Sequence, residues 1–253
     1  IILMRLEKLD YVMQNLLNKI KELNLDDLKK DNILKSDLLI HSDRRGLDVV
    51  YAPFEHVNKK AKVIIVGITP GWTQLKSSYK YVIENKNAGD DILKIQAKRY
   101  ASFSGAMRTR LIRWLDEIGV SEALRVETCS MLFNDLNDKT IHTSSVLRYP
   151  TFYNFVNYSG HSPKLFKTPY FIKQIQNIFL PEMEDFSNSL IIPLGSAVQS
   201  VFDYIKEKKM KNFKYILSGF PHSSSLNVGS ETIFKKNKVN FDKIVSIWKD
   251  YVQ

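Results

Sequence analysis

Apolar positions near the start of the chain recur in steps of three and four residues: Leu6, Leu9, Met13, Leu16, Ile20 and Leu23. That spacing draws one stripe down a helix of about five turns, with a single face to bury. The stripe is too short for a coiled coil, so a helix docked on a main domain is expected. From Lys29 to Lys62 the composition is mixed and polar, and the Ser-Asp-Arg-Arg-Gly stretch at 42–46 predicts a turn. The pattern then changes. Residues 63–66 are all apolar and closed by Gly67, which predicts a strand buried on both faces. Similar runs at 126–132, 190–194 and 215–217 are separated by stretches long enough for helices. This alternation predicts an α/β domain around a central four-stranded parallel sheet covered on both sides. Met107, Leu111, Trp114, Leu115 and Ile118 share a helix face that Gly119 would cap. A second helix is expected from Ser196 to about Lys209, and a closing one carrying Ile244, Ile247, Trp248 and Tyr251. The expected organisation is a helical segment at 1–60 docked on an α/β domain at 61–253.

Composition narrows the class. The chain has 253 residues, 44% hydrophobic and 25% charged, and a chain this long buries roughly three quarters of its unfolded surface. Disorder, a collagen-like repeat and a disulfide scaffold are excluded. No apolar run is long enough to span a bilayer, and residues 1–12 turn amphipathic too soon for a signal peptide. A soluble cytoplasmic monomer with no membrane partner is therefore expected. The single cysteine, Cys129, cannot form an internal disulfide or supply the four thiolates of an iron-sulfur or structural zinc site. With 37 Lys+Arg against 27 Asp+Glu, the formal charge is 37 − 27 = +10, a surplus that suits a polyanionic partner but also arises from lysine-rich genomes.

In open parallel sheets ligands bind outside the carboxyl ends of the strands, which directs attention to four loops at 67–74, 142–150, 194–197 and 218–227. In the first, Gly67, Pro70 and Gly71 surround Thr69, a composition that lets backbone approach a ligand while proline restrains the turn. In the last, His222 stands beside Ser223, Ser224, Ser225 and Asn227, a dense set of donors.

Together these loops resemble the uracil-DNA glycosylase superfamily. Gly67-Ile68-Thr69-Pro70-Gly71 matches its first motif, and His222-Ser223-Ser224-Ser225-Leu226-Asn227 is a looser match to its second. Ser102-Phe103-Ser104-Gly105 is similar to its P-F-x-G segment and Leu194-Gly195-Ser196-Ala197 to its L-G-x-x-A turn. The resemblance implies a three-layer α/β/α fold and a DNA glycosylase acting on single- or double-stranded DNA, with neither cofactor nor metal. Under it His222 and Thr69 are the catalytic candidates. His222 would donate to a base oxygen and Phe103 would stack on the extruded base. Gly67, Ile68, Pro70, Gly71 and Trp72 would surround that base, with Ser145 at the reader position and Asn154 or Asn157 as a replacement for the missing reader amide. Ser223, Ser224, Ser225, Asn227, Arg148 and Lys164 would hold the DNA, and Leu226 would fill the vacated stack.

Departures from the family pattern qualify the substrate. Thr69 stands where many members carry Asp or Asn and Ile68 where the iron-sulfur type carries Glu, so neither position offers a general base. Glu55, Asp90 and Asp91 are the carboxylates considered instead. Ser145 replaces a reader asparagine and cannot make the paired contacts of an amide, which points away from plain uracil and towards a modified or damaged pyrimidine. Residues 149–170 read as a long inserted loop of aromatic and basic residues suited to unstacked bases. Arg108, Arg110, Arg113 and the lysines at 206–214 and 235–238 are expected on one DNA-facing side. The alternatives are a catalytically silent nucleic-acid-binding protein and a small-molecule hydrolase on the same scaffold.

Overall fold

The computed structural model describes residues 2–134, 140–224 and 229–253, with side chains from Tyr11 onward apart from that of Asn134. The chain opens with helix α1 (Ile2–Lys21) and the single turn α2 (Lys30–Ile33), followed by strands β1 (Leu39–Ser42), β2 (Leu47–Val50) and β3 (Val63–Gly67). Helices α3 (Trp72–Glu84), α4 (Asp90–Ala101), α5 (Ala106–Glu117), α6 (Val120–Leu124) and α7 (Met131–Asn134) come next. Strands β4 (Ile141–Ser145), β5 (Thr151–Tyr153) and β6 (Val156–Asn157) then precede the short helices α8 (Pro169–Gln174) and α9 (Leu180–Glu182). The chain ends with β7 (Leu190–Pro193), α10 (Ser196–Glu207), β8 (Tyr215–Ile216) and α11 (Ser230–Val252). No helix among the described residues is long and apolar enough to cross a membrane.

Two compact units are built from alternating stretches of chain. The first takes Ile1–His56, Thr69–Ser102 and Tyr149–Tyr158; the second takes Val57–Ile68, Phe103–Arg148 and Ser159–Gln253. In the first unit, β1, β2, β5 and β6 form an antiparallel sheet in that order. The expected turn at 42–46 is its first hairpin, closed by Gly46 at φ +83°. Helix α1 packs on α3, and α3 on α4. Leu16 and Ile20 of the expected stripe are buried, joined by Leu17; Leu6 and Leu9 lie outside the described side chains. Tyr79, fully buried, donates to the Tyr51 carbonyl at 2.6 Å.

In the second unit, β4, β3, β7 and β8 form a parallel sheet in that order. All five residues of β3 are buried, as its unbroken apolar run requires. Val63, Ile65, Ile141, Leu190 and Ile192 meet Leu111, Trp114 and Leu115 of α5 and Phe234, Phe241 and Trp248 of α11 in one core. Trp114 stacks on Phe234 at 4.9 Å between centroids, a pair that adds about 0.5–1.5 kcal/mol to its area burial. Gly119, at φ +81°, ends α5 as expected.

The structure corrects three expectations. Residues 126–132 do not form the second strand. Arg125 adopts φ +57°, and the Asp116 carboxylate accepts from Thr128 Oγ1 at 2.6 Å and Cys129 N–H at 2.7 Å, which fixes a turn leading into α7. The strand is β4, whose polar His142 and Ser144 are buried and so hide its character from a hydrophobicity reading. Residues 149–170 are likewise more than a loop, since β5 pairs with β2 and α8 follows. The N-terminal segment is mixed rather than helical, because β1 and β2 lie within it.

Candidate functional site

Strand β3 has β4 on one side and β7 on the other, so the loops leaving the sheet diverge there, the position where parallel sheets open a ligand crevice. The second unit places several predicted residues at these carboxyl ends. A Cβ at Gly67 would lie 3.5 Å from Phe103 Cε1 and 3.6 Å from Ser145 Oγ, ordinary van der Waals distances, so the edge of the Phe103 ring and the Ser145 hydroxyl both lie beside Gly67. Phe103 itself is held at φ +50°, an unusual conformation for a bulky residue. Ile68 is nearly buried, and its carbonyl accepts from Leu147 N–H at 2.9 Å. Gly160, at φ +91°, fits against Ile68 and Ala197; a Cβ there would collide with the Ala197 methyl.

Gly195, at φ +87°, donates to the Phe220 carbonyl at 2.9 Å, and a Cβ on it would lie 3.4 Å from His222 Cβ. This turn sets the histidine loop beside the start of α10. His222 Nδ1 accepts the Ser224 N–H at 3.1 Å. Burial holds the imidazole below its ordinary pKa. It is therefore neutral at pH 7 with its proton on Nε2, a hydrogen-bond donor. The Ser224 carbonyl accepts from Arg110 Nη1 at 2.9 Å, which pins the loop to α5.

Other predicted residues have different surroundings. Ser223 is fully buried, with its hydroxyl unpartnered among the described residues, so it does not lie on a phosphate-facing surface. Arg148, expected on DNA, donates to Glu182 Oε2 at 2.7 Å. The other carboxylate oxygen of Glu182 meets His142 Nε2 at 2.8 Å, and His142 Nδ1 accepts from Asn58 N–H at 3.4 Å. Arg113 pairs with Glu231 at 2.6 Å, so Arg110 and Arg113 tie α5 to the histidine loop and to α11. Lys164 is exposed. Ser225, Leu226 and Asn227 lie outside the described residues.

The remaining predicted residues belong to the first unit. Thr69 Oγ1 donates to the Tyr149 carbonyl at 2.9 Å and accepts from Thr151 N–H at 3.2 Å. Its hydroxyl proton is therefore committed to backbone. After Pro70, Gly71 N–H donates to Gln74 Oε1 at 3.1 Å, and Trp72 N–H donates to Asn157 Oδ1 at 3.0 Å. These bonds cap α3, so two amides and the Asn157 carbonyl expected to surround a base are already used. Of the carboxylates considered, Asp90 is bonded by Lys21 and Gln14 and held below its usual range chiefly by the Lys21 bond. Asp91 is exposed on the first turn of α4. Glu55 accepts from the Tyr149 phenol at 3.2 Å, and burial followed by the Glu55 charge pushes the Tyr51 phenol far up.

Among known proteins, the chain is 32% identical over 221 residues to the uncharacterized protein YoxB of Bacillus subtilis (strain 168), a match covering 85% of each. The chain belongs to the YoxB family. No family model and no solved structure matches it. Sequence reasoning missed two features of this YoxB-family chain, the His142–Glu182–Arg148 network and the Tyr149–Glu55 contact. Both join residues far apart in sequence, and only β4, misplaced by its polar residues, would have pointed to the first.

Proposed function

We propose that this YoxB-family protein is a monofunctional DNA glycosylase with a three-layer uracil-DNA glycosylase-like fold, excising a modified or damaged pyrimidine. The observation that carries the reading is the Ser224 N–H bonded to His222 Nδ1, which leaves Nε2 as the donor of a neutral ring in the loop that follows the last strand of the parallel sheet. Breaking the C1′–N bond sends the electron pair to the departing base, and a fixed donor at a base oxygen stabilises that charge without a prior proton transfer. The Phe103 ring beside Gly67 supplies a stacking surface for the flipped base. Water then adds to C1′ of the sugar cation, and the proton it loses ends on the departed base anion, giving a free base and an abasic site.

The test is incubation with oligonucleotides carrying uracil, hydroxymethylated cytosine, glucosylated cytosine and other lesions, followed by alkali. Strand scission at one of them, reduced about 100-fold or more in His222→Ala, is expected on the scale of a lost oxyanion donor. Scission at none of them, or an unchanged His222→Ala variant, overturns the reading. One observation favours a second reading, a catalytically silent nucleic-acid-binding protein. Phe103, Ser145 and His222 include no carboxylate, and the Thr69 hydroxyl proton is committed to the Tyr149 carbonyl. That reading predicts salt-sensitive DNA binding with no abasic product.

A further inference from the structure

The antiparallel sheet of the first unit ends in two adjacent hairpin turns. Leu47 pairs with Tyr153, and Asn154 N–H donates to the Gly46 carbonyl at 2.9 Å, so both turns leave the same end of the sheet. The turn between β5 and β6 consists of Asn154 at φ +49° and Phe155 at φ +64°. Two-residue hairpins of this kind favour asparagine first and glycine second, because both positions need positive φ. Asn154 fits the rule and packs its carboxamide against Gly46. Phe155 breaks it, placing a bulky ring where glycine belongs. The ring is also out in solvent: Phe155 is 51% exposed and its neighbour Val156 68%. The chain thus bears a strained backbone and an uncovered apolar tip at one residue.

The neighbouring turn carries Arg44 and Arg45, both exposed. Its carboxylates are engaged locally. Asp43 Oδ1 accepts from the N–H groups of Arg45 and Leu47, Asp43 Oδ2 lies 3.4 Å from Arg45 Nε, and Asp48 accepts from Ser42 Oγ at 2.7 Å. The Arg45 side chain is nonetheless 74% exposed. An exposed aromatic residue on one turn and two exposed arginines on the adjoining turn complement a base and its flanking phosphates.

We propose that the Phe155 tip is a stacking platform for an unpaired base of single-stranded nucleic acid, with Arg44 and Arg45 on the adjoining phosphates. The proposal shares with the glycosylase reading only the nucleic-acid partner and requires no bond cleavage. Its test uses the full chain and a single-stranded DNA oligonucleotide containing 2-aminopurine, titrated at several salt concentrations. Stacking quenches the fluorescence. Phe155→Gly is expected to abolish the quenching and weaken binding about 5-fold or more, the scale of one lost base–aromatic stack. Because glycine relieves the positive φ, the same variant is expected to unfold at a higher temperature than wild type. Phe155→Trp should retain the quenching, and Arg44→Ala/Arg45→Ala should flatten the salt dependence. Unchanged binding in Phe155→Gly, a lowered unfolding temperature in that variant, or no binding of the oligonucleotide by wild type overturns the proposal. Absence of abasic product from every substrate overturns the glycosylase reading while leaving the quenching result standing.

Discussion

His222 is the residue whose chemistry reaches furthest. Its folded pKa lies below the unfolded value because burial disfavours the imidazolium. The unfolded chain therefore binds more protons than the native one as pH falls through about 6.5, and stability falls with it. His56 acts in the same direction, lowered by burial and then by Lys98 and Arg99. Urea midpoints should be level above pH 7.5 and decline between pH 7 and 5, with a shallower decline in His222→Gln. An equal decline in that variant would show that the histidine does not titrate as its surroundings require. Gly160 gives a steric test. Gly160→Ala must accommodate a methyl beside Ala197 and Ile68 at φ +91°, and a loss of about 2 kcal/mol or more in denaturant unfolding is expected. Gly89 has open space around it, and Gly89→Ala at the start of α4 should cost under about 1 kcal/mol.

Among the elements, β4 is held by a buried side-chain network as well as by its ladder. Glu182 accepts from Arg148 and meets His142, with the Glu182 and His142 side chains each 2% exposed. Removing the carboxylate leaves a partly buried guanidinium without its counter-ion, so Glu182→Ala should lose about 3 kcal/mol or more in equilibrium unfolding. A loss under about 1 kcal/mol would mean that solvent reaches the network. The same strand shows why parts of the fold were illegible. Residues 63–66 announce β3 because burial on both faces demands an unbroken apolar run, and β7 follows the same rule. In β4 the buried faces carry His142 and Ser144, satisfied by contacts from distant segments or left to packing, while the more apolar 126–132 is turned by Asp116. The hairpin of β5 and β6 was hidden for a related reason, since Phe155 occupies the place where glycine would have marked the turn.

At the scale of the whole molecule, the net charge of +10 is distributed differently from the expected arginine face. Arg113 and Arg148 pair with carboxylates and Arg110 binds a carbonyl, so these side chains hold the structure together. The surplus lies on exposed lysines such as Lys206 in the last turn of α10, Lys208 and Lys209 just after it, and Lys235 and Lys236 on α11. The candidate site was legible to a similar degree. Phe103, Ser145 and His222 stand in the second unit at the carboxyl ends of its strands, as glycine-rich turns and strand order require. Thr69, Trp72 and Asn157 look alike in sequence but cap α3 and brace β5, which only the hydrogen-bond partners reveal. A glycosylase differs from a silent DNA-binding protein in one outcome, whether a base leaves the DNA. The most direct measurement is mass spectrometry of the products after incubation with each modified oligonucleotide. A free base and an equimolar abasic strand, both lost in His222→Ala, are predicted; every oligonucleotide recovered at its starting mass would contradict the account.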